Sequence, residues 1–392
     1  MPPGLHAFNS PSALHRIEHC TPSARLGDKF RARFGDKDSP FAFEGTKAHA
    51  LLELKEQKEI GLINDFKFKA MVDELKSSAP DLEWSRLERA TNVALDVIMT
   101  HYYEAKRISP DAQMYIEQEL NMEQYLKACW GTADNIIVSD DILDVHDYKN
   151  GSGIPVSADH NPQMRAYALG AYIMFADLYG FEKIRCTILQ PNIDNISVEV
   201  LTRQELLDWA EEMGPKLELS YEGKGEYHSG EWCRFCPAKC LCYYRAAEAM
   251  RIFDTGMENP GILPDSEIPR ILEYADQAEA WIKDIKEYAR TRALNGHNWY
   301  GFKLVEGRRP PRKWGDEEAA INNLYRAGYT DEQIYTKKLI NPGEAEKLLG
   351  KTAYNALLSE FVTQADGNPT LVPESDKRIA INSAENLFSD LI

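Results

Sequence analysis

The 392-residue sequence predicts an α/β protein in which helices are followed by a three-stranded meander, a helix and a further strand. A helical insertion precedes the sheet, and a mostly helical extension follows the core. Three observations predict this. After Pro110 the apolar period shortens from that of a helix to that of a strand, over segments 113–120, 132–138 and 143–149. Asn161-Pro162 then opens a long apolar helix, expected to run to Gly180. Segment 183–189 returns to strand-like content directly after it.

Taken in order, Ser10 and Ser12 precede a short helical pattern, and Thr21-Pro22 has the form of a cap and first position of another helix. Cys20 therefore falls at a helix junction. The spacing of Ala48, Leu51 and Leu52 predicts a helix over 45–60 that carries His49 and Glu53 on one face. Residues 61–108 are read as helices inserted before the sheet. Beyond the strands, segment 198–201 and a helix after Thr202 lead into a cysteine-rich stretch, followed by a helix over 243–253. Pro260, Gly261 and Pro264 predict a boundary. The expected domains are thus 1–255, a C-terminal extension 256–366 with a long amphipathic helix over 268–294, and a flexible polar tail 367–392. No internal repeat is visible.

A formal net charge of −17 argues against binding nucleic acid through bulk electrostatics, since phosphate contacts need Lys and Arg. Any contact with DNA must be local, and carboxylates that hold a cation tolerate this balance. No apolar run reaches the roughly 18 residues of a membrane span, and residues 1–10 lack the layout of a secretory signal. A cytoplasmic protein with no membrane partner is expected. Of seven cysteines, Cys233, Cys236, Cys240 and Cys242 fall within ten residues, a clustering that points to metal or cluster ligation in a reducing compartment. Cys129 and Cys186 sit among apolar neighbours and are expected in the core.

In the strand Leu143-Asp144-Val145-His146-Asp147-Tyr148-Lys149, alternation puts Asp147 and Lys149 on one side. Asp134, on the neighbouring strand of a hairpin, can bring a second carboxylate to the same cation. Phosphodiester hydrolysis needs these parts: carboxylates for Mg²⁺ or Mn²⁺, and a cationic group to orient the nucleophile. A D-x-K tripeptide alone is usually a solvated strand face. Here it has context in Gly131-Thr132-Ala133-Asp134 upstream, His49 on a preceding helix, and Gln163 and Tyr167 one turn apart on the following helix.

Together these residues resemble the RecB-like branch of the PD-(D/E)XK nucleases, which includes the CRISPR-adaptation exonucleases and the AddAB helicase-nucleases. The resemblance covers about residues 8–250 and implies a restriction-endonuclease-like core. It maps the family's metal-binding histidine onto His49, its carboxylates onto Asp134 and Asp147, its lysine onto Lys149 and its Q-x-x-x-Y motif onto Gln163 and Tyr167. The second acidic position is Asp147 where many relatives have glutamate, which shortens the reach by one methylene. Glu53 and Glu119 are subsidiary candidates, while His101, His146 and His160 are assigned no role. Four local cysteines would suit zinc, and an iron–sulfur cluster is the alternative. Relatives with a [4Fe-4S] cluster draw one cysteine from before the core and three after it as C-x2-C-x5-C, which selects Cys20, Cys233, Cys236 and Cys242 and leaves Cys240 spare.

Residues 299–314 mix Trp299, Tyr300, Phe302 and Trp314 with Arg308, Arg309, Arg312 and Lys313, a composition suited either to DNA contact or to a solvated hairpin with core aromatics. The whole chain also resembles phage and prophage nuclease-like proteins, which implies a role in recombination or replication. The expected function is an Mg²⁺- or Mn²⁺-dependent deoxyribonuclease, an exonuclease acting on DNA ends, single-stranded ends included, beside a phage single-strand-binding or annealing protein. The rival is a catalytically silent DNA-binding or scaffold protein that retains the fold.

Overall fold

The computed structural model describes residues 7–35, 40–251, 268–335, 340–363 and 370–373. The chain divides into two compact units, Met1–Trp281 and Ile282–Ile392. The boundary expected near residue 255 lies outside the described residues, as do Pro260, Gly261 and Pro264.

The first unit is α/β and is built on a mixed five-stranded sheet of order β1-β2-β3-β4-β5: Gln113–Asn121, Trp130–Val138, Ile142–Tyr148, Lys183–Gln190 and Asn195–Thr202. The first three strands form the expected antiparallel meander. β4 lies parallel to β3, which requires a crossover, and the helix between them supplies it. β5 closes the sheet antiparallel to β4, extending the expected segment 198–201 in both directions.

Helices cover both faces, which is why β3 is buried from Leu143 to Tyr148, its polar residues included. Before the sheet come α1 (Leu14–His19), α2 (Ser23–Phe34), α3 (Pro40–Glu59), α4 (Asp65–Ser77) and α5 (Trp84–Ile108), the last two forming the inserted segment. After β3 come α6 (Pro162–Phe175), α7 (Arg203–Glu222) and α8 (Tyr243–Met250). Ile136, Val145, Met164, Leu169, Ile188, Leu206 and Trp209 share one core with Cys129 and Cys186. Leu51, Leu87, Ile98, Ile137, Tyr148 and Leu189 form a second core beneath α3 and α5. Ile136 and Ile137 enter opposite cores because adjacent strand residues face opposite ways.

Local chemistry sets the helix ends. Asn161 caps α6 by accepting from the backbone N–H groups of Gln163 and Met164, with Pro162 at the first position. The helix stops at Phe175 rather than Gly180, because Leu178 and Tyr179 both donate back to the Phe175 carbonyl in a turn that delivers Phe181 to the core. Thr202 and Glu205 form a capping box for α7. Pro22, rather than Thr21, caps α2. The Thr21 hydroxyl instead donates to the Lys224 carbonyl at 2.8 Å, tying the N-terminal helices to the end of α7. Of the helix expected over 243–253, Ile252 and Phe253 lie outside the described residues.

α9 (Ile268–Leu294) spans the division between the units. The second unit then comprises β6 (Phe302–Val305), β7 (Lys313–Trp314), α10 (Glu317–Arg326), α11 (Asp331–Ile334), α12 (Pro342–Leu349), α13 (Lys351–Leu358), β8 (Val362–Thr363) and β9 (Thr370–Pro373). Its core gathers Ala320, Leu324, Ile334, Ala345, Tyr354 and Leu358. β9, within the segment expected as a tail, pairs with β6; the rest of that segment lies outside the described residues. Among the described residues no helix is long and apolar enough to cross a membrane.

Candidate active site

The expected site residues converge from four elements. His49 comes from α3, Asp134 from β2, Asp147 from the end of β3 with Lys149 just beyond it, and Gln163 and Tyr167 from α6. β2 and β3 stay paired only as far as Asn135 opposite His146. Past that point Asp134 takes over the link, its Oδ2 accepting the Tyr148 N–H at 2.7 Å. The same oxygen lies 3.4 Å from His49 Nδ1. Lys149 continues the pairing with β4 by donating its N–H to the Leu189 carbonyl, which holds the base of its side chain.

Asp147 is 3% exposed, and its Oδ2 lies 2.8 Å from Lys149 Nζ. Gln163 bridges this pair: Nε2 donates to Asp147 Oδ1 at 2.9 Å, and Oε1 accepts from Lys149 Nζ at 3.2 Å. Asp147 Oδ2 is buried and faces the Lys149 ammonium, so a cation entering here would share this oxygen with Lys149. Tyr167 is buried one turn behind Gln163.

A residue that sequence reasoning missed joins His49 and Asp134, whereas among the described residues Asp147 is not part of that close set. Glu117 on β1 lies opposite Asp134 in the register on either side of it, and ligand atoms of His49, Glu117 and Asp134 all fall within 4.8 Å of one another. Its backbone is left-handed, φ 49°, unusual for a non-glycine strand residue. The usable signal was strand parity with Asp134, which Glu119 shares. Glu119, opposite Thr132, is exposed as Glu117 is, but lies outside the cluster. Glu53, the other subsidiary candidate, accepts from Gln57 at 2.8 Å on its own helix.

Crowding of negative charge shapes the titration of the site. Desolvation, then the charge of Asp134, pushes the Glu117 carboxyl up to about 7. Desolvation also raises Asp147, against the opposing pull of the Lys149 ammonium. Burial disfavours the charged forms of His49 and Lys149, but Asp134 for the one and Asp147 for the other outweigh it, so both basic groups are raised. An open polar pocket lined by Glu44, Arg86, Asn150, Ser152 and Asn192 begins at the residue after Lys149.

Cys20, Cys233, Cys236 and Cys242 line one pocket, with Arg16 and Tyr227 in its wall, and Cys240 is not among the lining residues. None of these four is in a disulfide. Burial raises the Cys20 and Cys236 thiols, and neighbouring cysteines add to the effect. Among the described residues, the sets of three or more ligand atoms within 4.8 Å of one another contain no cysteine. A second such set, Asp159, His160 and Glu199, is already bound up internally. Glu199 accepts from Arg165 and from the His160 backbone N–H, the latter at 3.0 Å.

Arg308, Arg309, Arg312 and Lys313 are all exposed. Arg309 pairs with Glu306 at 3.1 Å and Arg312 with Glu346 at 3.0 Å. The indoles of Trp299 and Trp314 donate to the carbonyls of Ala289 and Ile340, so these rings are anchored in the fold, whereas Tyr300 is fully exposed.

Among solved structures, the one titled "Crystal structure of SSO0001" matches at 14% identity over 56% of this chain and 94% of its own, with a TM-score of 0.23. The family described as "Protein of unknown function (DUF2800)" matches residues 6–379, and the chain belongs to that family.

Proposed function

We propose that this chain is a divalent-cation-dependent deoxyribonuclease of the PD-(D/E)XK type, in its RecB-like branch. The observation that carries the reading is the gathering of His49 against Asp134, and of Lys149 and Gln163 against Asp147, where the pairing of β2 with β3 ends. His49, Glu117, Asp134 and Asp147 are the donors that would hold the cation, and one imidazole among carboxylates suits Mn²⁺ as well as Mg²⁺. When bound, the cation supplies charge neutralisation at the phosphate and acidity toward water.

The chain's own groups supply the rest. Lys149, held between Asp147 and Gln163, points a fixed ammonium at the incoming water and the phosphoryl oxygens. Gln163 keeps Asp147 and Lys149 at hydrogen-bonding distance, and buried Tyr167 supports it from the next turn of α6. In the same reading Cys20, Cys233, Cys236 and Cys242 hold a [4Fe-4S] cluster. Tetrahedral zinc would bring thiolate sulfurs to about 3.8 Å of one another, tighter than this pocket, whereas a cluster spreads each thiolate onto its own iron. The substrate is a DNA end, and the setting is phage recombination beside a single-strand-binding or annealing protein.

The test uses end-labelled single- and double-stranded DNA, linear and closed circular, with Mg²⁺ or Mn²⁺. Cleavage of linear substrate alone is expected, and it should be lost in Lys149→Ala and Asp134→Asn while both variants keep the wild-type fold. If wild type binds DNA but leaves every substrate intact, a silent scaffold is the better reading.

A further inference from the structure

We infer that Asn135 and His146 form a positioning pair that holds the catalytic carboxylates in register from the opposite face of the sheet; this rests on the reading of Asp134 and Asp147 as cation ligands. The two residues are the last paired positions of β2 and β3, and the next residues out are those two carboxylates. The backbone ladder therefore gives out where the chemistry begins. Between β2 and β3, side-chain contacts must then help to fix the separation of Asp134 from Asp147, the Asp134 bond to the Tyr148 N–H among them.

Asn135 is fully buried and His146 is 1% exposed. Asn135 Oδ1 and His146 Nδ1 lie 3.0 Å apart. Asn135 Nδ2 donates to Glu56 Oε2 at 3.2 Å, and His146 Nε2 lies 2.8 Å from His101 Nδ1. With the Asn135 amide nitrogen facing Glu56, its oxygen must accept from His146 Nδ1–H. A neutral imidazole carries one ring proton, so His146 Nε2 accepts from His101. The hydrogen bonds run in one direction, from α5 through β3 and β2 to α3.

Glu56 lies two turns from His49 on α3, on the same helix face. One hydrogen-bonded chain thus connects the three elements that bear His49, Asp134 and Asp147. A pair of aliphatic side chains would fill the same space with no polar group to satisfy. What the polar chain adds is a unique register, because a slip of one residue would turn both carboxylates to the wrong face.

The experiment compares the full-length protein with Asn135→Leu, Glu56→Leu and Glu56→Gln. It measures Mn²⁺ affinity by electron paramagnetic resonance, and hydrogen exchange at the Tyr148 amide that Asp134 accepts. Asn135→Leu and Glu56→Leu are expected to weaken Mn²⁺ binding by about tenfold or more and to speed exchange at Tyr148. Glu56→Gln, which keeps an acceptor oxygen for Asn135, should stay close to wild type. Unchanged affinity and exchange in a folded Asn135→Leu would overturn the inference, as would equal damage from Gln and Leu at position 56. If Asn135→Leu fails to fold, the two Glu56 variants decide. A wild type that binds no Mn²⁺ would refute the cation reading alone, and Tyr148 exchange in the variants would still decide the positioning role.

Discussion

Glu117 takes a left-handed backbone in the middle of a strand, at a cost on the order of 1 kcal/mol or more. The conformation is retained where the carboxylate meets Asp134 and His49, which ties the strain to the site. A consequence follows for pH. The Glu117 carboxyl is pushed up to about 7 and His49 is raised above its ordinary value, so on the acid side of neutrality a cation entering the site competes with protons there. Mn²⁺ affinity should therefore rise as pH climbs from about 6 to 8 and level off once both groups are deprotonated. Glu117→Gln should lower affinity and flatten that rise, measured by Mn²⁺ titration across the range. A full-strength pH dependence in Glu117→Gln would remove Glu117 from the ligand set.

At the scale of elements, α3 must be held on the sheet for His49 to reach Asp134, and a single lysine helps to dock it on α5. Lys55 Nζ donates to the Glu88 carbonyl at 3.1 Å, to Thr91 Oγ1 at 2.7 Å and to Asn92 Oδ1 at 2.5 Å, all of them uncharged acceptors. Desolvation pushes this ammonium down to about 8. The folded state then binds fewer protons than the unfolded state between about pH 8 and 10.4, so stability should rise with pH across that window. Below it the buried charge is a full cost. Lys55→Met should remove the rise, worth about 1–2 kcal/mol after allowance for solvent screening, as read by urea unfolding at several pH values. Equal pH slopes in the two proteins would show that Lys55 is better solvated than its surroundings imply.

The opposite layer is set by Gly170, where α6 crosses β1. A Cβ there would lie 2.7 Å from Met122 Sδ and 2.8 Å from Leu120 Cβ. Gly170→Ala should cost about 1–3 kcal/mol by overpacking, despite the higher helix propensity of alanine. A thermal midpoint at or above wild type would show that Met122 can move aside. Because α6 also carries Gln163, some loss of activity is expected with the loss of stability.

Across the whole molecule, the cysteine pocket draws the junction of α1 and α2 onto the segment after α7, more than 200 residues later in the chain. If it holds a cluster, anaerobically prepared protein should be brown. Cys20, Cys233, Cys236 or Cys242 to Ser should each bleach it and lower solubility, while Cys240→Ser keeps the colour. Tightly bound zinc in colourless protein would reverse that assignment. The C-terminal basic residues call for a smaller effect than their number suggests, since Arg309 and Arg312 are already met by Glu306 and Glu346. Replacing Arg308, Arg309, Arg312 and Lys313 by Ala should flatten the logarithmic salt dependence of single-strand binding by about 1.4 units, the share of two phosphate contacts. Cleavage at saturating DNA should be unchanged. A change near 2.8 units would mean that both ion pairs open on binding.

The α/β class, the three-stranded meander and the starts of α6 and α7 followed from the sequence, because period, caps and turns are local: Asn161-Pro162 and Thr202 declare their helices within a few residues. Strand alternation put Asp147 and Lys149 on one side, and their 2.8 Å contact agrees, whereas His49, Gln163 and Tyr167 were singled out by the family resemblance and not by local spacing. Tertiary structure decided what depends on contacts between distant segments. It chose Glu117 over Glu119, because only the register of β1 against β2 puts one of two like residues opposite Asp134. The end of α6 at Phe175 answers to the burial of Phe181 rather than to a local stop signal. His146, locally an ordinary strand residue, gains its partners from α5 and β2 only when α5 covers that face of the sheet.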